Sequence, residues 1–390
     1  MDRFAPDDLA VLQRLCAIPD RKTGGPGNAE ARDLICAHVE SLSGHSPALE
    51  AFSLPAYVES SARVVFDGGS CAANLLDYTG RGRSPAEGPL SDLRRGRRSD
   101  FERTPVEGRI VVFDTSDLRP RSRQIAWASA AGARAVVLAS RAASAAEFGT
   151  GASPDRPADI PAVSVSGVDA GLLRSRSGTP ARVEFAFTSR TVAGNNIVLD
   201  LAADADAPTV VIGAHYDCWS HGAQDNATSV AVAFLLLRWL RARRRTHAYR
   251  FVFFDAEELG LLGSAHHLAA NDTSRYACYL NLEMVVPAGG GRLRAVAYSG
   301  DMRRRYFSAC HAARMGYLPL PLWPAYRVLG MRFPSDVHHF YARGVPCLTT
   351  FCASPVRHTE LDTLDRVELR RLEGVVRLLI HTLCRIERTR

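Results

Sequence analysis

Residues 209–226 read Thr209-Val-Val-Ile-Gly-Ala-His215-Tyr-Asp217-Cys-Trp-Ser-His-Gly-Ala-Gln-Asp225-Asn226. The apolar run from Val210 to Ala214 has the length and composition of a buried strand. It ends in two polar side chains, His215 and Asp217. Asp225 closes the following loop, directly before a run from Asn226 to Arg243 that reads as a helix. In an open α/β sheet the carboxyl ends of the strands line one crevice, and ligands bind there.

The same arrangement recurs along the chain. Glu257 and Glu258 follow the apolar run Phe251 to Phe254, Glu283 ends the run Tyr279 to Leu282, and His358 comes shortly after Cys347 to Phe351. Five segments thus deliver two imidazoles and several carboxylates to one edge. Further strands are expected at 49–54, 196–201 and 293–298. Helices are expected at 8–43 around a polar loop, and at 259–270, 303–314, 336–342 and 365–386. In the last of these, Leu369, Leu372, Val375, Val376, Leu379, Ile380 and Leu383 form a stripe of period 3.6. Strands alternating with helices predict an α/β fold whose largely parallel or mixed sheet is covered on both faces.

Between about residues 58 and 190 the texture changes. Short strands at 62–66, 109–113, 135–139, 162–165 and 181–187 alternate with Gly, Ser and Pro. Residues 80–107 read as a long exposed loop, and 121–132 as a helix. With 390 residues in all, two structural units are expected.

Composition narrows the function. Apolar residues make up 46% and charged residues 23%, the balance of a globular protein rather than a disordered one. The net charge is +7, but Lys22 is the one lysine, leaving 47 of the 48 basic residues as arginine. That skew fits a GC-rich coding bias, and the arginine clusters are separate, so no nucleic-acid partner is expected. A Walker phosphate loop is excluded because Lys22 lacks the glycine spacing. The longest apolar stretch, Val230 to Leu237, is far too short to span a membrane. The acidic N-terminus lacks the pattern of an export signal, and nine cysteines without a CxxC pair suit a reduced, cytoplasmic protein.

The strand-end inventory suits zinc, which accepts imidazole nitrogen and carboxylate oxygen. A two-ion site would need a bridging carboxylate; Asp225, in a tight loop, is the candidate. Asp217 could accept the other imidazole proton of His215 and fix its tautomer. Taken singly, each residue has an ordinary structural reading. Asp225-Asn226 would serve as an N-cap, and Glu257-Glu258 as an acidic helix start. His266-His267 and His338-His339 read as solvated helix residues, with His338 the one that would line the site. Cys218 and Trp219 read as packing.

Taken together the segments carry a resemblance. The string from His215 to Ser229 resembles the HxDSW…GAxDNASG segment of the co-catalytic zinc aminopeptidases (metallopeptidase family 28). That family also holds glutamate carboxypeptidase II, the transferrin receptor and the glutaminyl cyclases. Phe251-Val-Phe-Phe-Asp-Ala-Glu257-Glu258-Leu-Gly-Leu-Leu-Gly-Ser264 is similar to its FVFFDAEELGLLGS segment. Ser335-Asp336, Phe340 and Gly344-Val-Pro346 resemble its SDHxxF…GIP stretch, His358-Thr-Glu-Leu-Asp362-Thr its closing HTxxDT, and Arg21 to Ala31 its RxxGxxGNxxA.

The resemblance implies a three-layer zinc-exopeptidase fold with a mostly parallel mixed sheet. The peptidase domain would be discontinuous, 1–57 plus 191–390. Residues 58–190 would be an inserted β-rich protease-associated domain, with Gly108-Arg-Ile-Val-Val and Ile160-Pro-Ala-Val-Ser-Val among its landmarks. It implies that His215, Asp225 and Glu258 hold one zinc and Asp225, Glu283 and His358 the other, with Glu257 as general base and Asp217 in support. Asn281-Leu282-Glu283-Met284 has Glu where the family has Asp, so two ions are expected and one stays open. The activity implied is exopeptidase or small-amide hydrolysis, on a peptide or small amide. A glutaminyl-cyclase-like enzyme and a non-catalytic binding protein are the alternatives. Arg357, Asp336 and His338 are candidate substrate contacts, Arg357 because a guanidinium beside His358 could pair with a substrate carboxylate. The sequence leaves the oligomeric state open.

Overall fold

The structure is a computed structural model that describes residues 5–80, 84–114, 120–204, 206–286, 293–313, 318–319 and 335–388. The extreme N-terminus, residues 81–83 of the expected loop and Arg314 of an expected helix lie outside them.

Helices α1 (Pro6–Ala17) and α2 (Pro26–Ser43) open the chain, followed by β1 (Ala48–Phe66), which is continuous where two separate strands were expected. The insert supplies β2 (Gly69–Leu75), β3 (Ala86–Asp92), α3 (Arg98–Arg103), β4 (Ile110–Asp114), α4 (Arg121–Ala130), β5 (Ala135–Ala139), β6 (Ala162–Val165) and α5 (Gly167–Ser175). The stretch read as an exposed loop therefore holds β3 and α3. Its polar composition hid a parallel pairing in which Leu90 meets Ile110 on the buried edge of β4. The chain returns through β7 (Pro180–Leu201), again one strand where two were expected.

β1 and β7 pair antiparallel from Ala48–Val198 to Phe66–Ala181. At their outer ends the order β7-β1-β2-β6-β5-β4-β3-β7 closes on itself, so the insert is a small barrel around Val64, Val112, Val137 and Val163. Both expected domain boundaries, at 57/58 and 190/191, fall inside these two strands.

At its inner end β7 pairs antiparallel with β9 (Ala248–Phe254). The sheet continues through β8 (Thr209–His215), β10 (Tyr276–Leu282), β13 (Cys347–Phe351), β11 (Arg294–Ala297) and β12 (Leu318–Pro319). The four central strands, β9, β8, β10 and β13, are parallel. Helix α6 (Thr228–Arg241) is apolar on nearly every side and is buried along most of its length, with Arg238 and Arg241 exposed in its last turn. It packs on one face of the sheet with α1, α2, α8 (Gly300–Ala313) and α10 (Leu372–Glu387). Helices α7 (Leu262–Ala270) and α9 (Val337–Ala342) cover the other face, where the Phe340 ring stacks on Tyr279 at 3.8 Å. The result is three layers, with the carboxyl ends of β8, β9, β10 and β13 on one edge beside the barrel. No helix among the described residues is long and apolar enough to cross a membrane. The nine cysteines are free, seven of them buried.

Candidate metal centre

Each expected ligand leaves the sheet at this edge. His215 is the last residue of β8 and is 1% exposed. Its Nδ1 lies 3.0 Å from the backbone carbonyl of Asp217, which makes that nitrogen the donor and leaves Nε2 as the atom available to ligate. The Asp217 carboxylate is 3.5 Å from Nδ1, beyond a sound hydrogen bond. It instead accepts the backbone N–H groups of Glu257 and Glu258, at 3.2 and 3.1 Å. Asp217 thus faces His215 Nδ1 with its carbonyl at 3.0 Å and its carboxylate at 3.5 Å, while the side chain also holds the turn carrying both glutamates.

Asp225 sits in a single wide turn, Ala223–Ala227, ahead of α6. Asp362 anchors this turn by accepting N–H groups from Gln224 and Asp225, both at 2.9 Å. Arg21, 1% exposed, anchors the loop before it. Its guanidinium donates to the carbonyls of Leu15, Tyr216, His221 and Gly222 at 2.7–3.0 Å. Gly222 adopts φ +48°, and a Cβ there would come within 2.4 Å of the Asp225 carbonyl, so the close return of the loop requires glycine.

The two oxygens of Asp225 face different imidazoles. Oδ1 is 3.1 Å from His215 Nε2, and Oδ2 is 3.2 Å from His358 Nε2. Glu283 Oε1 reaches to 3.5 Å of His215 Nε2. Its other oxygen accepts from the Ser335 hydroxyl at 2.7 Å, which in turn accepts from Asn281 Nδ2 at 2.7 Å. Glu258 Oε2 lies 2.9 Å from His358 Nε2 and accepts the indole N–H of Trp219 at 3.0 Å. Two groups with ligand atoms within 4.8 Å of one another result: His215, Glu257 and Glu283, and Asp225, Glu258 and His358. The expected partners are therefore exchanged. Glu283 accompanies His215, because β10 is the strand beside β8, and Glu258 accompanies His358.

These residues fit zinc. Buried His215 Nε2, Asp225 Oδ1 and Glu258 Oε1 lack hydrogen-bond partners, although unpaired buried polar atoms are costly. Carboxylates outnumber imidazoles in the crowd. Burial, together with the charges of Glu283, Glu258 and Asp336, pushes the Glu257 carboxyl well above the usual range, against the pull of His215. Burial also raises Asp225, but the neighbouring imidazoles of His215 and His358 outweigh it and hold that carboxyl low. Uncompensated buried carboxylates next to borderline nitrogen donors are what a divalent cation neutralises.

The three candidate substrate contacts lie outside the two groups. Asp336 is fully buried at the start of α9, where burial pushes its carboxyl up to about 7. The His338 ring meets His339 edge-on at 5.2 Å. Arg357 precedes His358 and acts electrostatically on it, and on Arg121 of the insert. Sequence reading had assigned no part to Trp219 beyond packing, nor any to Asp362, Ser335 or Phe148, whose N–H donates to the His358 carbonyl at 2.7 Å. Their signals were confined to motif membership or absent.

Residues 196–383 match the model of Peptidase family M28, and residues 73–173 that of the PA domain. Among curated proteins the chain is 29% identical over 308 residues to "Probable lipoprotein aminopeptidase LpqL" of Mycobacterium tuberculosis, covering 75% of this chain and 60% of that one. It is 28% identical over 280 residues to Aminopeptidase YwaD of Bacillus subtilis, covering 69% and 59%. The chain thus spans about 60% of the length of these relatives. In fold it is similar to a zinc aminopeptidase from Bacillus subtilis, with a TM-score of 0.75, 20% identity and coverage of 97% and 95%. It is also similar to an aminopeptidase from Aneurinibacillus sp. strain AM-1, with a TM-score of 0.71, 21% identity and coverage of 97% and 92%.

Proposed function

Because the chain belongs to peptidase family M28 and carries a PA domain, we propose that it is a zinc-dependent exopeptidase of aminopeptidase type, acting on peptides or small amides. Two ions per chain are part of this proposal. One observation carries it: Asp225 presents one oxygen to His215 and the other to His358, as a carboxylate shared between two cations would. His215, Asp225 and Glu283 would hold one ion, and Asp225, Glu258 and His358 the other. Bound there, zinc polarises a carbonyl and brings the pKa of water toward 7.

The remaining steps belong to the chain's own residues. Glu257 lies with His215 and Glu283, and its backbone N–H is held by Asp217. It takes a proton from the attacking water and passes it to the leaving amine, a role worth about 10²–10⁴-fold. Positive charge at the two groups opposes the upward shift of its carboxyl and keeps it able to accept. Glu283 reaches the cluster despite its extra methylene because Ser335 holds its far oxygen. Arg357, beside His358, supports a preference for substrates bearing a carboxylate.

The test is metal analysis of the purified protein with a panel of aminoacyl amides and acyl-amino acids. Two zinc ions per chain, with hydrolysis lost on chelation and restored by zinc, are expected. Full activity in metal-free protein would overturn the reading.

A further inference from the structure

Trp219 belongs by sequence to the loop after β8, yet its ring packs within the apolar cluster of the insert, with Tyr57, Tyr78, Ala256 and Leu259. It is 6% exposed. Phe148 of the insert lies parallel to it, with centroids 6.1 Å apart and 7° between the planes. The polar edge of the indole points the other way, and its N–H donates to Glu258 Oε2 at 3.0 Å. An indole has one donor and no competing acceptor, so this bond fixes which Glu258 oxygen is engaged and which, Oε1, stays without a hydrogen-bond partner.

Lys22 closes the arrangement. Its ammonium stands 4.9 Å from the centre of the Trp219 ring. The same nitrogen pairs with Asp77 Oδ2 at 2.6 Å and donates to the Tyr57 carbonyl at 2.6 Å. An ammonium carries three tetrahedral donors, and here two oxygens and an aromatic face receive them. A planar guanidinium cannot point in those three directions. This is the one position at which a chain with 47 arginines has a lysine. Asp77 lies in the matched PA segment, so the contact joins the N-terminal loop, the insert and the indole. On the same side, Phe148 donates its N–H to the carbonyl of His358.

We infer that the insert helps to shape one metal position: Trp219 is a positioning residue for Glu258, and Lys22 pins its indole against the insert. The inference rests on the reading of Glu258 and His358 as zinc ligands. Hydrogen-bond partners of ligating groups hold their orientation and typically govern metal affinity by about 10–100-fold.

The experiment measures zinc affinity by competition with a chromogenic chelator, without reference to activity. A Glu283→Ala background leaves the Asp225–Glu258–His358 group intact. In it, Trp219→Phe, which keeps an aromatic ring and removes the N–H, should weaken zinc about 10–100-fold. Lys22→Met should weaken it less, in the same direction, and Lys22→Arg should not restore it. In a His358→Ala background, which spares His215 and Glu283, the same substitutions should leave zinc affinity unchanged. Equal losses at both positions, or no loss at either, would overturn the inference. Failure of the Glu283→Ala chain itself to take up zinc would instead overturn the ligand reading. If Trp219→Phe does not fold, 15N-tryptophan labelling of the unaltered chain decides. The indole N–H of Trp219, assigned by Phe substitution at the other three tryptophans, should shift in step with zinc added, and a resonance that ignores zinc refutes the role.

Discussion

His215 and His267 are both buried imidazoles beside carboxylates, 1% and 0% exposed, and they serve opposite ends. At His267 every polar atom is matched. Nδ1 meets Glu50 at 2.9 Å and Nε2 meets the Tyr276 hydroxyl at 3.0 Å. Glu50 also accepts from Asn271 at 2.8 Å and Asn196 at 3.2 Å, while Arg250 donates to Asn271 and Tyr276. At His215 one nitrogen is matched, and the other faces Asp225 and Glu283 without a hydrogen-bond partner. Each cluster sets a buried imidazole against a carboxylate; the partner count separates them. A satisfied network rigidifies the fold, whereas the unmatched nitrogen of His215 is open to a cation. The expectation of a solvated His266-His267 pair does not hold for His267, whose ring is buried beside Phe254, Tyr276 and Phe340.

The sharpest way to break this contrast is to delete one imidazole from each cluster. His358→Ala should abolish hydrolysis and zinc uptake at its position while the metal-free protein keeps its melting temperature; assay and metal analysis read both. Glu257→Gln comes next. It should lower turnover by about 10²–10⁴-fold with the zinc content unchanged, and a loss of metal would show that Glu257 is a ligand rather than a base.

His267→Ala should do the reverse. It leaves Glu50 and Tyr276 partly unmatched inside the protein, at a cost of about 3 kcal/mol in stability. Zinc stoichiometry should stay as in the parent, which denaturant melts and metal analysis would check together. The smallest effect concerns pH. Burial works to raise the Glu50 carboxyl, but hydrogen bonds from His267, Asn271 and Asn196 outweigh it and hold it at about 2, below its ordinary 4.5. A depressed carboxyl contributes stability that is complete above the unfolded value and is lost as pH falls through the folded one. Glu50→Gln should therefore flatten the decline in stability between about pH 4.5 and 2 relative to the parent. An unaltered acid limb in thermal melts would show that the Glu50 carboxyl is not held low.

Much of the site was legible because its signals are local. A short apolar run ending in His, Asp or Glu states both the strand and the side chain at its carboxyl end, and the stripe of α10 states its buried face. The barrel was less legible. β1 and β7 change partners midway, pairing with each other throughout but with β2 and β3 only at one end and β9 at the other, and no local pattern records a change of partner. β3 was missed because its alternation is interrupted by Gly88 and Pro89, residues that ordinarily punctuate turns.

By itself the sequence determined the types of the candidate ligands, their order and their place at strand ends, since these follow from residue chemistry and short-range periodicity. Only the tertiary structure decided the pairing of ligands. β10 lies beside β8, which brings Glu283 to His215, while the loop after β13 crosses back to set His358 against Glu258. Strand order is a property of the whole sheet, settled by the packing of helices on both faces, and spacing along the chain carries no record of it. The same holds for Trp219, whose ring is apolar core to the insert and whose N–H serves a carboxylate of the peptidase edge, because only the folded chain brings those two surroundings together.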